Sequence, residues 1–136
     1  MNLKNYLILN AILFIPFGLG MLFTPTFLFP LFGIDLNVDG LLMGRVVGSS
    51  LLTIGLVSYL IRMEQPHAIG MRAFLIGSLV FHAIDATTTF AASYSGGMNA
   101  LGWMFSSMHF ILAIGFLYFL YAKSPKTSEI PQEILK

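Results

Sequence analysis

The 136-residue sequence predicts an all-α fold, a four-helix transmembrane bundle with both termini in the cytoplasm. Three observations carry that expectation. The chain is 57% hydrophobic and only 10% charged, whereas a soluble domain carries roughly 25% charged residues. Four runs, at about 6–24, 41–61, 69–92 and 101–121, approach the ~20 mostly apolar residues that cross hydrocarbon as a helix. The basic flanks also fall on one side of such a bundle. Lys4 precedes the first run, Arg62 and Arg72 flank the second connection, and Lys123 and Lys126 follow the last run. The first connection holds Asp35 and Asp39 without a basic residue, and the third holds no charge. Lys and Arg concentrate on the cytoplasmic side of membrane proteins, so an even number of spans with both ends inside follows.

The elements follow in order. Lys4 before an apolar run resembles a cleaved leader. The run continues past Pro16 and Gly20 without a small-residue cleavage site, so a retained span is expected. Pro25, Phe27, Leu28, Phe29, Pro30, Leu31 and Phe32 then form a stretch too short and too proline-broken to cross. It is expected at the outer interface, where aromatic rings settle at headgroup level, as an ordinary interfacial connector, with a cap over the bundle as the alternative. Pro66 prevents a continuous helix through the second connection, and Gly96-Gly97 marks a turn in the third. Residues 1–122 thus make one bundle, and 123–136, with Pro125 and Pro131, make a polar cytoplasmic tail.

Composition removes several functions. With no cysteine there are no disulfides, thiolate chemistry or cysteine-held clusters. A net charge of +1 makes no electrostatic case for nucleic acid. Thirteen Phe and eight Met supply apolar bulk for lipid and inter-helix contact. His67 sits in a loop and reads as solvated, while Tyr94 and Trp103 read as interfacial anchors.

Beyond Arg72 at the start of the third run, four charged or imidazole residues lie inside the apolar runs: Arg45, His82, Asp85 and His109. Such groups cost several kcal/mol in hydrocarbon unless paired or hydrated, on the order of 2.5–3.5 kcal/mol or more at the bilayer centre. Counted from the turns at ~1.5 Å per residue, His82 is level with His109, and Arg45 is level with Asp85. The 3.6-residue period groups Ser78, His82, Asp85 and Thr89 on one face of the third span. Likewise Gly102, Ser106, His109 and Ala113 share a face of the fourth, and Arg45, Ser49 and Thr53 share a face of the second. Polar stripes in membranes turn inward, so one outer-half cluster is expected, with Arg45 paired to Asp85. Asn10, nearer the cytoplasmic end, is expected to stand apart from it. Gly44, Gly48, Gly70, Gly77 and Gly115 read as points of close helix approach.

The expected ligand-binding set is therefore Arg45, Ser49, His82, Asp85, Ser106 and His109. Arg45 would anchor an anionic group and Asp85 orient it. His82, Asp85 and His109 are also the candidates for general acid/base chemistry and for a metal, iron or zinc. Two level His residues could alternatively ligate haem. Neighbouring helices bring them side by side, however, and the Arg45 charge repels a cation. No nucleophile, phosphate-loop or nucleotide motif accompanies the group, so a non-enzymatic protein leads and a membrane enzyme or redox protein is the rival.

From FTPTFLFPLFGI through GLLMGRVVGSSLLTIGLVSYLIR, VFHAIDATTTF and NALGWMFSSMHFILAIGFLYFL, the chain resembles small bacterial four-span membrane proteins. It is similar to DoxX-like membrane proteins in size, span number and glycine-rich second helix. The resemblance implies a bacterial cytoplasmic (inner) membrane location and transfers no catalytic residue. The expected partners are the lipid bilayer and either a hydrophobic ligand or a larger membrane complex. Homo-oligomers are compatible with so small a bundle.

Overall fold

The computed structural model describes residues 1–121, and the tail expected over 123–136 lies outside them. Every regular element among the described residues is helical. The helices are α1 (Leu3–Phe23), a single turn α2 (Pro25–Leu28), α3 (Val38–Ile61), α4 (Ile69–Tyr94) and α5 (Ala100–Tyr121), with a 3-10 turn at Phe29–Phe32 after α2.

Local chemistry sets the boundaries. Asn2 caps α1 by accepting from the Asn5 amide at 2.9 Å, and Asn37 caps α3 by accepting from Gly40 at 2.8 Å. These polar caps lengthen both helices slightly beyond their apolar runs, and Asp39 in the first turn of α3 suits the positive end of the helix dipole. Pro16 lies within α1 without ending it, as membrane helices tolerate when neighbours re-satisfy the freed carbonyl. The stop comes at Thr24, whose amide bonds the Gly20 carbonyl at 2.8 Å before Pro25 starts the next turn. Gly33 closes the 3-10 turn with φ 74°, a left-handed conformation that favours glycine.

Two helix pairs dominate the packing, α1 with α3 and α4 with α5. The first pair is drawn together by glycine. A Cβ on Gly18 would stand 2.5 Å from the Leu52 nitrogen, and one on Gly48 would stand 2.7 Å from the Leu22 nitrogen. Between lipid-immersed helices association rests on such close van der Waals approach rather than on exclusion of water. The second pair is joined by Ser106, whose hydroxyl donates to the Ala86 carbonyl at 2.9 Å. At Gly115 the missing side chain admits the ring of Tyr6, whose hydroxyl donates to the Leu112 carbonyl at 2.5 Å. The core between the pairs is built by Tyr6, Leu7, Phe14, Leu51, Met71, Leu75, Leu112 and Phe116.

Some packing expectations are corrected. α3 and α4 are consecutive but do not form a close pair; α1 takes the glycine face of α3 instead. Gly44 meets the ring of Phe29 rather than a helix backbone, and a Cβ on Gly70 or Gly77 would meet nothing within 4 Å. The connector is more than the ordinary interfacial link expected: it covers one end of the bundle. Phe32 is buried against Phe17 and Phe105, with ring centroids 5.9 and 4.7 Å away. Asn99 fastens it, donating from its amide to the Phe32 carbonyl at 2.9 Å and from its side chain to the Leu31 carbonyl at 2.8 Å.

Candidate functional site

A chain of polar side chains crosses the core from α3 to α4 and α5. Ser58 donates to the Ile54 carbonyl one turn back at 2.9 Å. Its oxygen is thus free to accept from Asn10 Nδ2 at 2.7 Å. Asn10 Oδ1 can only accept, so His82 Nε2, 3.2 Å away, carries a proton and donates. In an uncharged His82 the other nitrogen, Nδ1, is an acceptor. Its partner at 3.0 Å, His109 Nδ1, must then be the donor. The hydrogen bonds therefore run in one direction, from His109 inward to the Ile54 carbonyl. His109 Nε2 is left with a bare lone pair.

Aromatic rings hold this chain in place. Phe116 stacks on His82 at 5.2 Å with an interplanar angle of 17°. Phe14 stands edge-on to both imidazoles, at 5.1 Å from His82 and 5.7 Å from His109. His82 and Asn10 are both 0% exposed. Every buried side-chain nitrogen and oxygen among the described residues has a partner. The other end is open: Asp85 Oδ2 lies 3.9 Å from His109 Nδ1, and the Asp85 side chain is 33% exposed on the flank of the bundle. A carboxylate accepts hydrogen bonds, so the exposed Asp85 end is complementary to a donor.

The structure brings together part of the expected cluster. His82 and His109 are level and in contact, and Asp85 adjoins them. Ser106 is buried, with its hydroxyl committed to the α4–α5 contact. Arg45 and Ser49 are elsewhere: both are exposed, and Arg45 makes no ion pair with Asp85. The expected inward row Arg45–Ser49–Thr53 faces out of the bundle. The inward row of α3 is Gly44, Gly48, Leu51, Gly55 and Ser58, because glycine permits closer helix approach. Ser49 and Thr53 satisfy their hydroxyls on their own helix, at the Val46 and Ser49 carbonyls, so nothing draws them inward.

Asn10, expected to stand apart, is the central link. Depth counting treats helices as parallel rods with matched ends, whereas Asn10 on α1 stands beside His82 on α4. The available signal was helical phase: Tyr6, Asn10, Phe14 and Phe17 share one face of α1. Asn10 and the edge-on Phe14 ring show that this face lies on His82.

Among the described residues no three His, Asp or Glu side chains are grouped to hold a metal ion. Both His82 nitrogens are occupied within the chain. The direct bond between the imidazoles leaves no room for a porphyrin between them, as haem held by both would require.

No family model, curated protein or solved structure matches the chain. Four helices of 21, 24, 26 and 22 residues are each long and apolar enough to cross a bilayer. The chain is a small multi-pass membrane protein.

Proposed function

We propose that this protein resides in a bacterial cytoplasmic membrane with both termini inside, and that it is a binding protein rather than an enzyme. It takes up a membrane-embedded component, a hydrophobic ligand or a partner subunit, at the flank where Asp85 meets the bilayer. The observation that carries this reading is the partly exposed carboxyl of Asp85, well inside an apolar span and 3.9 Å from a buried imidazole pair. Asp is too short to reach the headgroups from there, so its charge calls for a donor arriving laterally. The orientation rests on the one-sided placement of Lys4, Arg62 and Arg72.

The test is to purify the protein in native lipid discs and identify by mass spectrometry every co-purifying lipid, small molecule and chain. The same measurement is made on Asp85→Asn and His109→Gln. A species retained by the wild type and depleted in both variants, with helicity and melting unchanged, supports the reading. Identical complements in all three refute it.

The closed half of the network favours a second role. Asn10 bonds both Ser58 and His82, an arrangement of polar groups that fixes helix register. These three hold the bundle together, leaving Asp85 and His109 for recognition.

A further inference from the structure

Arg45 has no carboxylate partner within 4.0 Å among the described residues, and Asp85 has only the long contact to His109. The two are nevertheless matched. Sixteen residues separate Arg45 from the end of α3 at Ile61, and sixteen separate Asp85 from the start of α4 at Ile69. At a rise of ~1.5 Å per residue, both stand about 24 Å from the turn over 62–68 that joins these helices. Copies inserted in the same orientation therefore present an exposed guanidinium and a partly exposed carboxyl at one level in the membrane. Asp85 is also the one carboxylate among the described residues that lies in a helix away from its ends.

We infer that the component received at Asp85 is a second copy of this chain, whose Arg45 pairs with the Asp85 carboxylate inside the bilayer. This rests on the binding role proposed above and names its occupant. The chemistry fits on both sides. The open end of the polar chain offers the Asp85 carboxylate, which only accepts, while arginine offers five N–H donors and no acceptor. Ser49 and Thr53, on the same outward row as Arg45, have their hydroxyls capped on α3 and ask nothing of the partner. A lipid phosphate could satisfy Arg45 but would leave Asp85 without a cation. A second copy satisfies both.

The absence of cysteine allows a clean test. Arg45→Cys and Asp85→Cys chains, distinguished by different tags, are co-expressed and treated in native membranes with a short bis-maleimide. An arginine–carboxylate pair sets its backbones too far apart for a disulfide. The expected product is a cross-linked species carrying both tags, absent when either variant is expressed alone. In parallel, single-molecule photobleaching in lipid discs reads the oligomeric state of the wild type, Arg45→Gln and the double reversal Arg45→Asp/Asp85→Arg. Since Arg45 is exposed, Arg45→Gln should fold normally and weaken self-association at least ~10-fold, about 1.4 kcal/mol. The double reversal should recover it.

A monomeric wild type, or no two-tag product, overturns the inference. So does an Arg45→Gln variant that loses bound anionic lipid with its oligomeric state unchanged. If an Asp85-dependent component other than this chain is retained, the binding role stands and self-association falls. If nothing retained depends on Asp85 and the chain is monomeric, both fall.

Discussion

Truncating Asn10 to alanine removes one of the polar interactions that join the two helix pairs. Ser58 keeps its bond to the Ile54 carbonyl and loses only the one it accepts from Asn10, a cost near the ~0.6 kcal/mol average for an inter-helix hydrogen bond in a membrane protein. His82 fares worse. Its Nε2–H is left without an acceptor in a site with 0% exposure, and an orphaned buried donor costs about 1–3 kcal/mol. Together the substitution should destabilise the bundle by about 2–4 kcal/mol. Unfolding with sodium dodecyl sulfate in mixed micelles, followed by far-ultraviolet circular dichroism, measures this directly. A second arm replaces His82 by Phe, which keeps a ring against Phe116. Removing both polar partners should cost less than the sum of the single changes, because the Nε2–H that Asn10→Ala orphans is then gone, while the acceptor lost to His109 is counted once, with the His82 change. An Asn10→Ala variant within about 0.5 kcal/mol of wild type, or strictly additive changes, would refute the directional network.

The glycine contacts make an opposite pair of predictions. Gly48→Leu should separate α1 from α3 and cost at least the ~1–3 kcal/mol of an overpacked core, since even a Cβ there meets the α1 backbone. Gly77→Ala, with open space around it, should leave the same unfolding midpoint unchanged or slightly raised. Asn99→Ala removes the side-chain bonds to the Leu101 amide and the Leu31 carbonyl. It should cost ~1 kcal/mol as a lost helix cap and increase protease cleavage in the connector between α1 and α3. A reporter fused to the C-terminus should be active on the cytoplasmic side; activity on the outer side would overturn the orientation drawn from the basic flanks.

What could be read from the sequence divides along physical lines. The four spans were legible because length and apolar content are properties of one segment at a time. The level placement of His82 and His109 was legible because a short glycine turn forces α4 and α5 to run back along each other, so distance from the turn measures depth. The same counting put Arg45 level with Asp85 without bringing them together, because depth says nothing about azimuth. α3 carries two candidate inward rows, one polar through Arg45 and one of glycine through Gly44 and Gly48. Choosing between them requires knowing that α1 supplies a surface into which glycine fits, and that surface is made by Gly18, thirty residues before Gly48. Asn10 was missed for a related reason: its partners, Ser58 and His82, lie on two other helices and share no local pattern with it.

The arrangement of these contacts says where the bundle is able to move. Within the α1–α3 pair the backbones approach closely through glycine, and within the α4–α5 pair Gly102 admits the Ser93 side chain while the Ser106 hydroxyl bonds the Ala86 carbonyl. Between the pairs the contacts are made by side chains: Tyr6 on α5, Phe14 on both imidazoles, and Asn10 on His82. Side chains can exchange partners at a cost of a few kcal/mol, whereas backbones locked at glycine cannot part without losing the whole interface. Any rearrangement of this protein should therefore move α1 and α3 as one unit against α4 and α5 as the other. The imidazole pair lies within α4 and α5 and would survive such a movement, while the Asn10–His82 bond spans the seam and would break. A component docking at Asp85 could thus act through His109 and His82 on one of the polar bonds that tie the two units together, the other being that from Tyr6 to the Leu112 carbonyl.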